Sequence, residues 1–311
     1  MLGFVNVFKP AGPTSAQVVA RLRRVYGMYS HDRKIAVGHL GTLDPQAAGV
    51  LPIAIGKATR LIPLLEDQRK AYACTLVLGR STTTADALGE TVSEGVVPAD
   101  WEARLHDALP QFVGRITQTP PMYSAVHHEG KRLYELAREG KTVERKSRTI
   151  TIYALNILGA EITSALRQAQ GDTGDALALS APKATMRIRV ACSEGTYIRT
   201  LCEQLGEAIG VPAHMGALVR EASGPFILYE ARTLEEIGSD PHGALITPEH
   251  IIPFPTIVLD LRGSADFRAG RVVPLPQGAA AKHVFVRDEA RMLVGVGETH
   301  GALLAPRKVF V

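Results

Sequence analysis

The sequence predicts a mixed α+β fold with a small β-rich module at its C-terminal end. Stretches with the periodicity of strands and of helices follow one another without strict alternation through the first 250 residues. Apolar residues make up 46% of the 311 residues and charged residues 21%, which is typical of a globular chain and too apolar for a disordered one. Beyond Pro253 the pattern changes to short apolar runs separated by Gly and Pro. We therefore expect one unit over residues 1–250 and a second over residues 251–311.

The first elements are a strand at residues 4–8 and a helix that Thr14 or Ser15 caps. Apolar residues at helical spacing form one side of this helix, and arginines line the other. A segment punctuated by glycines, residues 38–49, then leads into an apolar run at residues 50–55. The helix residues are Val18, Val19, Leu22 and Val25 on the apolar side, and Arg21, Arg23 and Arg24 on the other.

The later elements follow from the same periodicities. Strands are predicted at residues 71–78, 149–158 and 184–192, and helices at residues 100–109 and 131–139. Another helix begins near Ile198, and Gly210 stands where its C-cap belongs. The stretch 163–183 is rich in Ala, Gly, Thr and Gln and predicts an expanded loop. The apolar runs of the C-terminal module are 256–261, 283–287, 291–296 and 302–310.

Composition narrows the class of protein. Thirty-five Lys and Arg stand against 31 Asp and Glu, and the isoelectric point is near 9.0, so a polyanionic partner is permitted without being required. Cys74, Cys192 and Cys202 form no Cys-x-x-Cys pair, so neither a disulfide framework nor a zinc site is predicted. The N-terminal stretch lacks the features of a signal peptide, and no later stretch approaches membrane-spanning length. We expect a soluble protein of the reducing cytoplasm.

Familiar cofactor and nucleophile motifs are absent from the sequence. It contains no Gly-x-Gly-x-x-Gly after a strand, no His-Glu-x-x-His and no Gly-x-Ser-x-Gly. Residues 49–57 superficially match a phosphate-binding loop, but the glycine spacing is wrong and Ala58 replaces Ser or Thr. These absences favour a reaction that needs neither a cofactor nor a metal.

Asp44 is the most distinctive candidate for chemistry. It lies in a loop where positions 38, 41 and 49 are glycines, a composition that lets another backbone approach closely and leaves one carboxylate exposed. Such a loop can hold a nucleophile. Taken alone, the pair Asp44-Pro45 is more typical of a simple turn or a helix N-cap than of a catalytic residue.

The wider pattern around Asp44 resembles the signature of the TruB family of pseudouridine synthases. The resemblance covers roughly residues 3–225. Two positions depart from the family's usual pattern, since Gln46 and Ala48 stand where Leu and Thr are usual, and we expect this to affect the packing of the loop but not the presence of Asp44. The matching segments are Gly38-His39-Leu40-Gly41-Thr42-Leu43-Asp44-Pro45 with Gly49-Val50-Leu51, Lys9-Pro10, Lys70-Ala71-Tyr72, Pro120-Pro121-Met122-Tyr123-Ser124-Ala125, and Gly195-Thr196-Tyr197-Ile198-Arg199-Thr200-Leu201.

The resemblance implies an isomerase of mixed or antiparallel sheet that converts uridine to pseudouridine at position 55, in the T-arm loop of tRNA, without a cofactor. The base must leave its stack, which costs a few kcal/mol. Asp44 is the implied catalytic carboxylate, Arg199 its ion-pair partner, and Tyr72 the residue that stacks on the uracil and helps remove the C5 proton. Substrate-binding roles are also implied for Tyr197 and Leu218, which line the pocket, for His39, which fills the gap left by the base, and for Lys9.

Each of these residues has an ordinary structural alternative. Tyr72, Tyr197 and Leu218 have the character of core residues, Arg199 that of a solvated helix charge, and His39 that of a surface loop histidine. Only their joint arrangement, given by the resemblance, favours the functional interpretation.

The segment 115–148 supports RNA binding independently. It holds eight basic residues against four acidic ones, so it is suited to RNA phosphates, although a charged amphipathic helix is an equally good interpretation. The C-terminal module is similar in position and size to the family's PUA-type RNA-binding domain. We expect a monomer that acts on tRNA without a required protein partner. The basic residues are Arg115, Lys131, Arg132, Arg138, Lys141, Arg145, Lys146 and Arg148.

Two alternatives stay open. One is a guide-RNA-dependent enzyme of the dyskerin type, which shares the Asp loop but usually has a fuller C-terminal domain and basic tails, whereas this chain ends at Val311. The other is a tRNA-binding or tRNA-folding module in which isomerase activity is secondary. A carboxylate-dependent glycosidase would need a second suitably placed acid, and the sequence suggests no such pair.

Overall fold

A computed structural model describes residues 1–32, 34–124, 126–128, 130–163, 183–276 and 281–310. The predicted expanded loop at 163–183 lies outside the described residues from 164 to 182. The same is true of Ala125, at the end of one matching segment, and of Glu129 in the basic segment.

The described residues form eighteen strands, seven α-helices and three short 3-10 helices. The strands are β1 (Leu2–Lys9), β2 (Val37–His39), β3 (Ala48–Gly56), β4 (Lys70–Leu78), β5 (Arg80–Thr82), β6 (Thr91–Glu94), β7 (Gly114–Gln118), β8 (His127–His128), β9 (Lys131–Arg132), β10 (Arg148–Thr163), β11 (Lys183–Cys192), β12 (Ala213–Ser223), β13 (Phe226–Ile227), β14 (Thr256–Val258), β15 (Val273–Pro274), β16 (His283–Arg287), β17 (Leu293–His300) and β18 (Leu303–Val309). The helices are α1 (Ser15–Tyr29), α2 (Trp101–Ala108), α3 (Leu133–Arg138), α4 (Ile198–Ala208), α5 (Leu234–Ser239), α6 (Pro248–Ile251) and α7 (Leu261–Arg268), and the 3-10 helices are Lys57–Leu64, Leu109–Phe112 and Leu228–Glu230.

The predicted α+β class is confirmed, with most elements near their expected positions. Helix α1 begins with a capping box, in which Thr14 Oγ1 accepts from the Gln17 amide and the Gln17 side chain accepts from the Thr14 amide. The helix predicted at 131–139 is shorter, because residues 131–132 pair with 127–128 as a two-stranded hairpin. Among the described residues, no helix has the length and apolar character needed to cross a membrane.

The main sheet is mixed, in the order β1-β3-β12-β4-β11-β10-β7, with β2 beside β3 and β13 beside β12. All of its pairs are antiparallel except β3 with β12, where Gly49 lies opposite Arg220. The backbone of Gly49 has a φ of +111°, and a Cβ added there would lie 2.2 Å from the Arg220 carbonyl oxygen. Only glycine fits this close approach, which fixes the strand that follows the Asp44 loop.

Alternating residues of the central strands build the main core. Along β4, Tyr72, Cys74 and Leu76 point inward, and the intervening residues are half-buried. The inward residues share one apolar cluster with Leu22 of α1 and Leu205 of α4. Three helices, α1, α2 and α4, therefore pack on the face of the sheet that carries Tyr72.

A second sheet of five strands, in the order β14-β16-β17-β18-β15, lies wholly beyond residue 250. The run predicted as a strand at 256–261 ends at Val258, and helix α7 follows, with the Asp260 side chain accepting from the Gly263 amide. Phe267 of α7 packs into the core of this sheet. The two sheets also share a cluster that joins Phe4 and Val50 to three residues of the second sheet and its end: Phe285, Val296 and Phe310.

Candidate active site

Asp44 lies in the loop between β2 and β3, with its side chain 36% exposed. Its neighbours Leu43 and Ala47 are buried, at 3% and 0% exposure, so they anchor the loop to the core. The first residue of α1 locks the same loop, because the Leu43 amide donates to Ser15 Oγ (2.9 Å) and Ser15 Oγ donates to the Leu43 carbonyl (2.8 Å). The loop thus presents one partly exposed carboxylate from a fixed backbone.

Lys9 binds the backbone of this loop from the buried side. Its side chain is fully buried, and its ammonium donates to the carbonyls of Pro10 (2.9 Å), Pro45 (3.1 Å) and Ala47 (2.7 Å). Burial lowers the pKa of Lys9 to about 8, against the opposing effect of the Asp44 charge. Its donors are directed at backbone carbonyls, so Lys9 holds the backbone of the loop, and its expected role in substrate binding stays a prediction.

Arg220 holds the other end of the loop. Its guanidinium, 1% exposed, donates through Nε to Val50 O (2.7 Å), through Nη1 to Thr42 O (3.1 Å) and through Nη2 to Gly41 O (3.2 Å). Sequence reasoning missed this residue, since nothing local to β12 marks an arginine that points into the core. Two buried cations therefore clamp the backbone on both sides of Asp44.

Arg199 lies beside Asp44, with Nη2 3.0 Å from Asp44 Oδ2. The side chain of Arg199 is 5% exposed and also donates to the carbonyls of Tyr123 (2.7 Å) and Thr84 (3.2 Å). Its position in the first turn of α4 follows from the turn at Gly195, which has a φ of +82°. The guanidinium is thus oriented by fixed backbone acceptors as well as by Asp44.

A second carboxylate, Asp86, lies 3.8 Å from Arg199 Nη1 and is 3% exposed. It accepts hydrogen bonds from Thr84 Oγ1 (2.6 Å) and the Leu88 amide (3.1 Å) through Oδ1, and from Gln46 Nε2 (2.5 Å) through Oδ2. Gln46 is one of the two positions that depart from the family's usual pattern, and here it ties the Asp44 loop to Asp86. Sequence reasoning did not single out Asp86, because it sits in a polar turn with no distinguishing spacing.

Five of the predicted site residues line one cavity of about 540 Å³. Met215 and Ile198 add apolar surface to its wall, and Glu194 adds a carboxylate. Three further cations not predicted for the pocket also line it. The predicted residues are Asp44, Tyr72, Tyr197, Arg199 and Leu218, and the additional cations are Lys70, Arg148 and Arg220.

The two tyrosines are held in different ways. Tyr72 is 8% exposed, and burial raises the pKa of its phenol, with the Arg220 charge acting in the opposite direction. The Tyr197 ring has the Arg148 guanidinium 4.6 Å from its centroid, and the Tyr197 amide donates to Gln118 Oε1 (3.0 Å). Tyr72 is therefore a neutral phenol at pH 7, and Tyr197 is a fixed aromatic wall.

His39 lines an adjoining cavity of about 490 Å³ that also includes Asp44, Arg132 and Tyr134. Its Nδ1 accepts from the Gly41 amide (3.3 Å). Burial, with a smaller contribution from the Arg220 charge, lowers the pKa of His39, so the imidazole is neutral at pH 7. The first turn of α1 lines the same cavity through Ala16.

This arrangement suits an attack by a single carboxylate on a flat, partly apolar group. The Asp44 carboxylate faces a cavity walled by aromatic and aliphatic side chains, and the Arg199 guanidinium pairs with it at 3.0 Å. Within the described ranges, no cluster of three or more His, Cys, Asp or Glu side chains is arranged to hold a metal ion.

Comparison with known proteins places these features in a family. The chain matches the model of the TruB family pseudouridylate synthase N-terminal domain over residues 28–198, and that of the tRNA pseudouridylate synthase B C-terminal domain over residues 199–241. A tRNA pseudouridine synthase B of Streptococcus pneumoniae (strain D39) is 38% identical over 316 residues, covering 100% of both chains. Another, of Syntrophomonas wolfei, is 45% identical over 238 residues, covering 76% of this chain and 72% of the relative.

Solved structures show the same architecture. A chain of a Cbf5–Nop10–Gar1 complex superposes with a TM-score of 0.63 at 26% identity, covering 99% of this chain and 85% of that one. A chain of an H/ACA ribonucleoprotein bound to a substrate RNA that contains 2′-deoxyuridine gives a TM-score of 0.64 at 24% identity, covering 99% and 85%. The likeness thus extends through both sheets.

Proposed function

We propose that this chain, which belongs to the TruB family of pseudouridine synthases, converts one uridine of tRNA to pseudouridine at position 55, in the loop of the T arm. The observation that carries the proposal is the Asp44 carboxylate, 3.0 Å from the Arg199 guanidinium at a cavity lined by Tyr72 and Leu218. Relatives that match over their full length are named tRNA pseudouridine synthase B, which supports tRNA as the substrate.

The reaction breaks the C1′–N1 bond of uridine, turns the uracil and joins C1′ to C5. The proton of C5 is lost and N1 gains one, so no electron, cofactor or second substrate is consumed. Asp44 supplies the essential carboxylate. Arg199 pairs with this carboxylate at 3.0 Å and offsets the desolvation that the bound RNA imposes on it.

A uridine inside a folded loop must leave its stack to reach Asp44, at a cost of a few kcal/mol. The cavity offers compensating contacts, because Tyr72, Tyr197 and Leu218 provide aromatic and apolar surface for the flipped uracil. The neutral His39 fills the position that the base leaves. Burial raises the pKa of Tyr72, so its phenol is neutral when it stacks on the uracil, and its expected help in removing the C5 proton stays a prediction.

The basic segment 115–148 contacts the phosphates of the T arm. Arg132 and Tyr134 of this segment line the His39 cavity, which brings cationic and aromatic side chains to the entrance of the site. The second sheet is a PUA-like RNA-binding unit of residues 251–311, packed on the main sheet through the cluster around Phe285. A monomer acting on tRNA alone in the cytoplasm is consistent with relatives that match the whole chain.

Tritium release from C5-labelled uridine in a T-arm stem-loop RNA tests the proposal. We expect release by the wild-type protein, none by Asp44→Asn at equal concentration, and equal RNA binding by the two. Asp67→Asn is a matched control, since this carboxylate pairs with Arg69 at the surface, outside the cavity that contains Asp44. No tritium release by the wild-type protein would favour a guide-dependent enzyme or a module that only binds tRNA. Tritium release by Asp44→Asn would show that Asp44 is not the essential carboxylate.

A further inference from the structure

Helix α1 and the loop after it concentrate the positive charge of the protein. Residues 15–34 carry five Lys and Arg against one acidic residue, a net charge of +4 that equals the net charge of the whole chain. The helix itself contains no acidic residue. A local excess of this size is the electrostatic pattern of a surface that binds a polyanion.

Two arginines of α1 are available for such a partner. Arg21 pairs with Glu235 at 2.8 Å, but Arg23 and Arg24 form no ion pair with any carboxylate in the described part of the chain. Both are exposed, and Arg23 makes only a long contact of 3.4 Å from Nη2 to Val37 O. Val37 begins the strand that ends at His39, so Arg23 is joined to an edge of the active site.

The free arginines border a groove of about 810 Å³ on the surface of α1. Ala20, with only a methyl group, and Gly27, with no side chain, line it and allow close approach of a backbone, and Arg23 and Arg24 supply its charge. The other residues that line it are Met28 and His31.

Helix α1 lines both this groove and the cavity that contains Asp44. Ala16, one turn before Ala20 on the same face of the helix, lines the cavity that contains Asp44 and His39. From Ala16 to Arg24 the helix rises about 12 Å, at 1.5 Å per residue. At about 3.4 Å per phosphate along one strand, this length spans roughly three or four phosphates.

We propose that the α1 groove binds the sugar-phosphate backbone of the part of tRNA that lies outside the T arm. This inference rests on the proposed function, which puts the T-arm loop at Asp44. Arg132 and Tyr134 also line this cavity and belong to the segment assigned to the T arm. The α1 side is therefore left for RNA that folds against that loop in an intact tRNA.

Binding of two RNAs by an Arg23→Gln/Arg24→Gln variant tests the α1 groove. We expect its Kd for a full-length tRNA transcript to rise about tenfold or more at 0.1 M salt, and the slope of log K against log salt to become shallower by about 2, because two phosphate contacts are lost. Its Kd for the isolated T-arm stem-loop, and its tritium release from that RNA, should equal those of the wild-type protein.

Two further variants separate charge from fold. Arg23→Lys/Arg24→Lys keeps both charges and should keep most of the affinity for tRNA. Arg104→Gln/Arg187→Gln removes two charges from α2 and from the exposed side of β11, and should leave both RNAs bound as before. Three results would each overturn the proposed role of the α1 groove. They are unchanged tRNA affinity in Arg23→Gln/Arg24→Gln, an equal loss of affinity for both RNAs in that variant, and an equal loss of tRNA affinity in the Arg104/Arg187 control. An inactive wild-type protein would instead overturn the proposed function, while the comparison of the two RNAs would still decide the groove.

Discussion

The ion pair between Arg199 and the buried Asp86 allows a quantitative test of the site. We consider Arg199→Met, Asp86→Asn and the double variant. Arg199→Met leaves the Asp86 carboxylate buried without its countercharge, a change that typically costs about 3–5 kcal/mol of unfolding free energy. Asp86→Asn replaces the charged acceptor of the Gln46 hydrogen bond, which is also the ion-pair partner of Arg199, by a neutral amide, at about 2–3 kcal/mol.

The double variant should lose less stability than the sum of the single losses. At the observed 3.8 Å and an effective dielectric constant of 20, the attraction between Arg199 and Asp86 is about 4 kcal/mol, which is an upper bound. The hydrogen bonds that Asp86 accepts from Thr84 and Leu88 persist without Arg199, and they reduce the cost of leaving the carboxylate without its countercharge. We therefore expect a coupling of about 2–3 kcal/mol. The contacts of Arg199 to carbonyl oxygens cancel in the cycle, since Arg199→Met removes them in both backgrounds.

Urea denaturation of the four proteins, followed by tryptophan fluorescence, measures this coupling. Trp101 is the single tryptophan, is 2% exposed and belongs to the core cluster of the main sheet, so its signal reports the unfolding of the unit that holds the site. The reasoning would be refuted by a double variant whose loss equals the sum of the single losses within about 0.5 kcal/mol. An unchanged m-value in all four proteins is the required control.

Three further predictions concern the loop that carries Asp44. Gly49→Ala should cost at least about 3 kcal/mol of stability in urea denaturation, because its Cβ would meet the Arg220 carbonyl at 2.2 Å. The control Gly114→Ala, with a φ of +99° and nothing within 4 Å of its Cβ, should cost only about 1 kcal/mol. Equal losses in the two variants would contradict this account. Gln46→Leu should cost about 1.5 kcal/mol through the lost hydrogen bond to Asp86 and should slow tritium release, so an unchanged rate and stability would show that the bond contributes nothing. Burial lowers the pKa of His39 below its usual 6.5, so the unfolded chain takes up the proton first as the pH falls. The free energy of unfolding should therefore decrease below about pH 6.5 in the wild-type protein, and it should decrease less in His39→Gln. Parallel pH profiles of the two proteins would argue against a buried neutral imidazole.

Periodic features of the fold were predictable from the sequence, and long-range polar contacts were not. Strand β11 was recognisable because its buried Met186, Ile188 and Val190 alternate with polar residues, and along β4 buried and half-buried residues alternate in the same way. Helix α7 was missed, although Asp260 offers an N-cap signal, because an apolar run at 256–261 suggested that a strand continued into it.

The site residues that could be predicted were those that the family resemblance implied. Asp44, Tyr72, Tyr197, Arg199 and Leu218 were expected together and do line one cavity, while their roles stay predictions. Lys9, Asp86 and Arg220 act through contacts to residues distant in sequence, such as Arg220 Nη2 to the carbonyl of Gly41. Such contacts leave no local pattern of spacing, so neither the clamped loop nor the second carboxylate could be derived before the fold was known.

The apolar cluster shared by the two sheets has a consequence for folding during synthesis. Phe4 leaves the ribosome about 280 residues before Phe285 and about 300 before Phe310, yet it packs in the same cluster as both. Strand β1 lies at the edge of the main sheet, next to the loop that Lys9 supports. An apolar sheet surface is therefore uncovered while most of the chain is being made, and in that interval the nascent chain is open to chaperones and to aggregation.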